Sequence, residues 1–314
     1  MFRSKYKLYN DDCFNIMQKL VDNNVEVDMI LTDLPYGTVK GLDIDGWTET
    51  STEWDNKLDT EKIFSYSEKL LKEKCPMILF SQEPYTSYLR QYNYTNMFFT
   101  YPLYWIKNHF ANPLSCKKAP VSYVEDLSVF RKKYDSNGTN PLRNYAQDLL
   151  KYIGKSSKDI ERDLGSRKAE HFFYSNNSMQ FSLCSKNTYN ELTELYNLKE
   201  WENYKPYSEL VEISNSVSPT FNLRNNKFLP NILEYSKPTT RFHPTEKPVD
   251  LLMELINTYT NENDTVLDFT MGSGSTGVAC MNTNRNFIGI ELDEKYYDIA
   301  KQRINEAKAQ KGLI

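Results

Sequence analysis

Short apolar runs alternate with amphipathic stretches through the first 133 residues and again after Pro238. The runs Val25 to Thr32 and Met77 to Ser81 are mostly apolar and rich in branched side chains, which predicts strands buried on both faces of a sheet. Lys62 to Lys72, between them, has helical spacing. Strands that alternate with helices in this way predict a doubly wound α/β domain with a mostly parallel sheet.

The same pattern predicts most other elements of this domain. We expect further strands at 98–106, 126–130, 265–268 and 286–291, and helices at 14–21, 84–91, 246–259, 275–281 and 293–309. A short strand and a turn precede the first helix, at 8–14. The polar stretch 37–59 has no clear period and is predicted to be a mobile loop.

The alternation stops between residues 134 and 235, a segment rich in Asn, Ser, Tyr and Lys. Helix-like stretches at 144–153, 155–165 and 188–196 indicate a mainly helical insert, with spacing that suits a helix-turn-helix. Such an insert could recognise DNA or could serve a structural or dimer contact. The predicted organisation is therefore 1–133, an insert at 134–235, and 236–314.

The end of the first buried strand carries a group of residues suited to binding an aromatic amine. The Asp33 carboxylate and the Leu34 carbonyl can accept the two N–H hydrogens of an exocyclic amine, which favours a pyramidal nitrogen with its lone pair available. Pro35 restrains the turn and Tyr36 can stack on the ring. An ordinary strand-end turn can have the same composition, so this pattern alone leaves both interpretations open.

A glycine-rich loop, Gly272-x-Gly274-x-x-Gly277, follows a predicted strand and opens a predicted helix. Glu291 ends the next strand, where a carboxylate can accept both ribose hydroxyls of an adenosine. NAD, FAD and S-adenosylmethionine fit this pattern equally. Asp268, directly before the loop, would repel a pyrophosphate and attract the cationic end of a methionine moiety.

Composition narrows the classes of protein further. The chain carries 38 Lys and Arg against 42 Asp and Glu, but residues 101–170 hold 13 basic against 8 acidic side chains, so one segment is basic in an acidic protein. Lys117, Lys118 and the run 131–133 are candidate phosphate contacts, although a solvated face would have the same charges. Five scattered cysteines without a C-x-x-C pair argue against a disulfide framework and a zinc site.

Five segments together resemble the amino-methylating DNA methyltransferases of bacteria and phages. Asp33–Tyr36 is similar to their Asp-Pro-Pro-Tyr catalytic motif, and 268–274 to their cofactor motif. The stretch 287–291 resembles the following strand with its ribose acid, 241–248 the His-Pro-x-x-Lys-Pro segment, and 10–13 the Gly-Asp-Cys turn. Their order, with the catalytic motif first, is that of the circularly permuted beta arrangement.

The resemblance implies a seven-stranded, Rossmann-like methyltransferase sheet, S-adenosyl-L-methionine as cofactor and double-stranded DNA as partner. Catalytic roles then fall on Asp33, Leu34, Pro35 and Tyr36. No metal is implied. The residues implied in cofactor binding are Asp12, Cys13, Asp33, His243, Thr245, Lys247, Asp268, Phe269, Thr270, Gly272, Ser273, Gly274, Ser275, Thr276, Glu291 and Leu292.

The chain departs from the family pattern at two positions, since Leu34 replaces the first proline of the catalytic motif and Asp11 replaces a glycine. Asp33 at the first motif position is typical of adenine-N6 enzymes, and we expect that activity on a flipped-out base. A cytosine-N4 enzyme, an RNA substrate and a non-catalytic DNA-binding protein on this scaffold are the alternatives. A dehydrogenase function would leave the segment Asp33–Tyr36 without a role.

The polar N-terminus and the lack of a long apolar run predict a cytoplasmic protein without a membrane contact. A homodimer and a cognate restriction nuclease are partners that the sequence leaves open.

Overall fold

The structure is a computed structural model that describes residues 5–37, 56–111, 116–132, 141–173, 181–217, 219–223, 229–238, 246–310 and 312. It divides into two compact units, the first formed by Met1–Lys132 and Thr220–Ile314 and the second by Lys133–Pro219. None of the helices in these ranges is long and apolar enough to cross a membrane.

The first unit contains one eight-stranded sheet, in the order β1-β8-β7-β2-β3-β5-β4-β6. The strands are β1 (Tyr6–Asn10), β2 (Met29–Asp33), β3 (Pro76–Ser81), β4 (Met97–Ala111), β5 (Ser122–Lys132), β6 (Ile232–Glu234), β7 (Thr265–Asp268) and β8 (Asn286–Glu291). All neighbouring pairs are parallel except those that β5 forms with β3 and β4. The prediction of seven strands was one short, because the three-residue β6 adds to the edge beside β4.

Helices on both faces of this sheet confirm the doubly wound α/β class. They are α1 (Cys13–Asp22), α2 (Thr60–Leu70), α3 (Tyr85–Gln91), α8 (Val249–Tyr259), α9 (Ser275–Asn282) and α10 (Glu294–Gln310). Alternate side chains of β2 pack into the two hydrophobic cores on opposite faces of the sheet. Met29 and Leu31 of β2 pack with α8, α9 and α10, whereas Ile30 between them packs with α1, α2 and α3.

Several predicted element starts were wrong. β5 begins at Ser122 rather than 126 and the first helix of the insert at Pro141 rather than 144, and two further starts differ for reasons visible in the local structure. β2 begins at Met29 rather than Val25, because Val27 forms only an isolated bridge with Leu71 and Asp28 makes an ion pair of 2.7 Å with Lys72. α8 begins at Val249 rather than at residue 246, because Pro248 is its N-cap with an extended ψ of 128°. The predicted loop at 37–59 lies mostly outside the described residues.

The second unit is mainly helical and has its own core. Its α-helices are α4 (Pro141–Ile153), α5 (Ser157–Asp163), α6 (Lys186–Leu195) and α7 (Tyr207–Val217), with short 3-10 helices at Glu170–Phe172 and Leu198–Glu200. Gly154, with φ of +68°, forms the turn between α4 and α5. The unit ends at Pro219, whereas the sequence suggested 235. Residues 220–235 belong to the first unit, because β6 pairs with β4.

Candidate active site

The candidate site lies where the direction of the sheet connections reverses. From β2 the chain proceeds through α2 to β3 on one side, and from β7 it proceeds through α9 to β8 on the other. β2 and β7 are parallel neighbours, so their carboxyl ends lie side by side. Ligands of open α/β sheets bind at such a point. Asp33, Asp268 and Glu291 are the last residues of β2, β7 and β8 respectively.

Two threonines connect the Asp33 turn to the loop that follows β7. The Thr32 hydroxyl donates to the Asp268 carboxylate at 2.7 Å, and the Thr270 hydroxyl donates to the Asp33 backbone carbonyl at 2.9 Å. The two hydroxyls are also 2.6 Å apart. The segments that the sequence assigned to substrate and to cofactor, more than 230 residues apart along the chain, are therefore joined directly.

A buried ionic cluster surrounds the Asp33 side chain. Tyr36 donates its hydroxyl hydrogen to Asp33 Oδ1 at 2.5 Å, and Lys247 Nζ pairs with Asp33 Oδ2. Glu125 Oε1 lies 3.0 Å from both the Tyr36 hydroxyl and Lys247 Nζ. The other Glu125 oxygen pairs with Lys107 Nζ at 2.5 Å. Since Lys107, Glu125 and Lys247 are all buried, these contacts form in an environment of low polarity.

Burial and the neighbouring charges act in opposite directions on this cluster. Burial raises the pKa of Asp33, and attraction by Lys247 counteracts only part of that effect. Burial also opposes ionisation of Glu125, but Lys247 and Lys107 outweigh it and lower the pKa of this carboxyl to about 2. Burial disfavours the Lys247 ammonium as well, yet Asp33 and Glu125 raise its pKa, so the lysine stays charged.

Burial, followed by the negative charges of Asp33 and Glu125, raises the pKa of Tyr36 well above its ordinary value. The phenol therefore stays protonated and serves as a donor. The residue is 8 % exposed, and its hydroxyl is fixed between the two carboxylates.

Leu34, the departure from the family motif, has a structural role. Its side chain is 3 % exposed and belongs to the core on the α1, α2 and α3 face of the sheet. A proline at this position would fill less of that core. Pro35 is half-buried and Gly37 has a φ of +69°, which turns the chain directly after Tyr36.

The glycine loop packs closely against α10. A Cβ at Gly274 would lie 2.7 Å from the Ala300 Cβ and 2.9 Å from its Cα, and Gly274 has a φ of +82°. A Cβ at Gly277 would lie 2.7 Å from Ile304 Cγ1 and 2.8 Å from Phe287 Cε1. These glycines are therefore required for the approach of loop and helix, in addition to any contact with a ligand.

Glu291 is fixed by the loop and by its own strand end. Its carboxylate accepts the Gly272 N–H at 2.9 Å through one oxygen and the Asp293 N–H at 2.9 Å through the other. Burial raises the pKa of Glu291. Because a carboxylate has about four acceptor positions, both oxygens retain capacity for a diol.

Asp268 is more deeply buried than Glu291. It accepts hydrogen bonds from Thr276 and Thr32 and from the Thr270 N–H, and burial raises its pKa to about 6. The Asp268 carboxylate therefore holds the loop through these hydrogen bonds and places a negative charge next to it.

The remaining predicted cofactor residues occupy varied positions. Asp12 caps α1 by accepting the Phe14 and Asn15 N–H groups at 2.9 and 3.2 Å. Cys13, Phe269, Ser273, Ser275 and Thr276 are buried, whereas Leu292 is 71 % exposed. His243 and Thr245 lie outside the described residues.

Sequence reasoning missed several residues of this region. Glu125 and Lys107 were not predicted, because each has a polar neighbour on its strand, Asp126 and Asn108 respectively, and no local pattern distinguishes them from surface charges. Arg303 of α10 was also missed. It donates to the Ser273 carbonyl at 2.7 Å and pairs with Glu246 Oε1 at 2.5 Å, which ties the loop to the segment before α8.

One predicted phosphate contact was wrong. Arg131 is 3 % exposed, donates to the Lys74 carbonyl, and stands over the Tyr259 ring, because its position on β5 faces the core. Lys117 and Lys118 are exposed, as a surface role requires.

Comparison with known proteins defines the family. The model of the N6/N4 methyltransferase family, described as DNA methylase, matches residues 27–302, which is most of the chain. The protein therefore belongs to the N6/N4 DNA methylase family, and the resemblance inferred from its motifs is confirmed.

Individual relatives are similar over shorter stretches. The putative methylase YubD of Escherichia coli (strain K12) is 47 % identical over 78 residues, which cover 25 % of this chain and 34 % of that protein. The type II methyltransferase M.HinfI of Haemophilus influenzae is 44 % identical over 66 residues, or 21 % of this chain and 18 % of that protein. The matched stretches thus span about a third or less of these relatives.

Solved structures share the fold over nearly the whole chain. The crystal structure of the M1.HpyAVI–SAM complex aligns with a TM-score of 0.56 and 21 % identity, covering 95 % of this chain and 99 % of that one. The cytosine-N4-specific PvuII DNA methyltransferase aligns with a TM-score of 0.51 and 12 % identity, covering 98 % and 93 %. At these identities the likeness concerns the fold.

Proposed function

We propose that this protein transfers a methyl group from S-adenosyl-L-methionine to adenine N6 of a flipped-out base in duplex DNA. The observation that carries the proposal is the pair of threonine hydrogen bonds that join the Asp33 turn to the Asp268 loop. They bring an acceptor for an aromatic amine and a cofactor loop to one edge of the sheet. Membership in the DNA methylase family supports methyl transfer to DNA as the reaction of these residues.

The residues at the ends of β7 and β8 fit S-adenosyl-L-methionine. Glu291 is anchored by two backbone N–H groups and retains acceptor capacity for the two ribose hydroxyls. Asp268 adds negative potential beneath the loop, which favours a cationic methionine end and disfavours a pyrophosphate. When bound, the cofactor supplies a methyl group already activated on a sulfonium, so the protein needs no metal for this step.

The residues of the Asp33 turn then act mainly by positioning the base. Asp33 accepts one amine hydrogen and the Leu34 carbonyl accepts the other, which aims the nitrogen lone pair at the methyl group. The sequence suggested that Tyr36 stacks on the base, but the residue is 8 % exposed and its hydroxyl is fixed by Asp33 and Glu125, so we assign it to orienting the Asp33 carboxylate. Extruding the base from the duplex costs a few kcal/mol, which these contacts offset.

Adenine is favoured over cytosine by the residue type at position 33, since the motif of the adenine enzymes begins with Asp. The decisive experiment is transfer of a tritiated methyl group to duplex DNA, followed by nucleoside analysis. We expect N6-methyladenine. Detection of 4-methylcytosine alone would assign the chain to the cytosine-N4 branch, and cofactor-independent DNA binding without any transfer would favour a non-catalytic role.

Target recognition is assigned in this proposal to the insert, which forms the second compact unit, Lys133–Pro219. Support comes from the place of the insert in the sequence, between the two motif-bearing segments, and from the turn with Gly154 between α4 and α5. Hydrogen exchange with and without a methylatable duplex would test this assignment. We expect DNA-dependent protection within 141–217, and protection confined to the first unit would contradict it.

A further inference from the structure

We propose that Glu125 is a positioning residue for the methyl transfer, which holds Lys247 and Tyr36 against Asp33 and is itself held by Lys107. This inference rests on the proposed function, because Asp33 has a reaction to serve only if the chain methylates an amine. Glu125 and Lys107 lie on the antiparallel pair β5 and β4, outside the segments that carry the family motifs.

Each oxygen of the two carboxylates has a defined partner in this cluster. Tyr36 lies at one oxygen of Asp33 and Lys247 at the other. One Glu125 oxygen, at 3.0 Å, receives both of these same groups, and the other receives Lys107 at 2.5 Å. Glu125 therefore fixes the two groups that determine the orientation of the Asp33 carboxylate, without a direct contact to Asp33.

The Tyr36 hydroxyl has a single hydrogen, and this limits how the cluster can be arranged. The hydroxyl lies 2.5 Å from Asp33 and 3.0 Å from Glu125, so the hydrogen is donated mainly to Asp33. The Glu125 carboxylate must then be compensated by the lysines. Lys247 provides one contact and Lys107 the other.

A contribution to folding alone would not account for this composition. Charges buried in a protein interior are often replaceable by apolar residues without loss of stability, whereas removal of one partner is harmful. The flanking inward positions on the same strands, Leu103, Trp105 and Leu127, are apolar and fully packed. Glu125 and Lys107 interrupt this apolar surface next to Asp33. The other buried charge on this face of β5, Arg131, lies at the opposite end of the strand and donates to the Lys74 carbonyl.

From the charges of the cluster we expect two substitutions to shift the pKa of Asp33 in opposite directions. The groups facing Asp33 are Lys247, Glu125 and Tyr36, with Asp268 close enough on β7 for mutual repulsion. The Glu125 charge raises the pKa of Asp33 and the Lys247 charge lowers it. Glu125→Gln should thus lower the pH at which Asp33 is protonated, and Lys247→Met should raise it.

The experiment combines methylation kinetics with a direct titration of Asp33 by carbon NMR of the labelled carboxyl group. For Glu125→Gln we expect a kcat lower by about 10²-fold, the scale of a small misplacement of reacting groups. The Kd for S-adenosyl-L-methionine should be unchanged. The acid limb of the pH profile of kcat, where Asp33 becomes protonated, should shift to lower pH. For Lys107→Met/Glu125→Gln, which restores charge balance, the acid limb should return toward that of the wild type while kcat stays low.

Asp126→Asn is the matched control, because it removes the neighbouring carboxylate of β5, which pairs with Arg90 at 2.9 Å rather than with the Asp33 cluster. It should keep the wild-type kcat and acid limb. A folded Glu125→Gln variant with wild-type kcat and an unmoved Asp33 titration would overturn the inference. An equal loss in Asp126→Asn would also overturn it, since general damage to β5 would then be the cause.

The titration separates this inference from the proposed function. If the wild-type protein transfers no methyl group to DNA while the Asp33 titration shifts in opposite directions in Glu125→Gln and Lys247→Met, the proposed function fails and the control of Asp33 by Glu125 is supported. If methyl transfer occurs and the titration does not move, the proposed function stands and the role of Glu125 is refuted.

Discussion

Truncation of Leu34 to alanine separates the contribution of its side chain from that of its backbone carbonyl. The side chain is 3 % exposed and packed in the core formed with α1, α2 and α3. The carbonyl is the group proposed to accept an amine hydrogen. Since Leu34→Ala changes only the side chain, we expect a clear loss of stability and little loss of catalysis.

The size of the stability loss follows from the atoms removed. Three buried carbon atoms correspond to about 2.4 kcal/mol at roughly 0.8 kcal/mol each. A residual cavity raises the cost of such substitutions to about 2.7–5 kcal/mol. Leu34 adjoins the partly exposed Asp33 and Pro35, so its surroundings can relax, and we expect about 3 kcal/mol. For a unit of this size that lowers Tm by roughly 6–12 °C.

Thermal unfolding and methylation kinetics well below Tm provide the assay. Leu79→Ala is the matched control, because Leu79 is fully buried in the same core on β3 and has no proposed part in the chemistry. It should lower Tm by a similar or larger amount. A Leu34→Ala variant with unchanged Tm would refute the packing argument, and one with normal Tm but a kcat reduced 10²-fold would show that the side chain itself serves the reaction.

Three further predictions concern the cofactor half. Glu291→Gln should raise the Kd for S-adenosyl-L-methionine roughly 10- to 100-fold, because hydrogen bonds to a charged group contribute about 1.5–3 kcal/mol and about 1.4 kcal/mol is tenfold in Kd. An unchanged Kd in calorimetry would contradict the ribose assignment. Burial raises the pKa of Asp268 to about 6, so its charge is lost as pH falls through 6. The affinity of the wild-type protein for S-adenosyl-L-methionine should therefore weaken as pH falls through 6. The same pH dependence of affinity in Asp268→Asn would exclude this carboxyl as the cause. Gly277→Ala should destabilise the fold by about 1–3 kcal/mol through overpacking against Ile304 and Phe287, and an unaltered denaturation midpoint would show that α10 can move away.

The sequence was sufficient for the elements whose pattern is strictly local. The bounds of β7 and β8 agree with the prediction because each strand has a buried, mainly apolar centre and is flanked by polar turn residues. The α/β class and the N6/N4 family are likewise confirmed. β6 was missed because three residues carry no periodicity, and its strand character depends on pairing with β4.

The candidate site was predictable only where its residues follow strands in a recognised order. Asp33, Asp268 and Glu291 could be placed together because the carboxyl ends of parallel strands meet at one sheet edge. Glu125 and Lys107 could not, since their proximity to Asp33 depends on the antiparallel pairing of β5 with β3 and β4. The packing role of Leu34 could not be predicted either, because it depends on burial of the side chain in the core.

We propose that Asp33 acts on an amine of DNA next to a separately bound methyl donor. The most direct test of this proposal is a side-by-side measurement of cofactor binding and tritiated methyl transfer to duplex DNA for the wild-type protein and Asp33→Ala. We predict N6-methyladenine from the wild type, and an Asp33→Ala variant that binds S-adenosyl-L-methionine but transfers no methyl group. Near wild-type turnover in Asp33→Ala would show that Asp33 does not act on the amine.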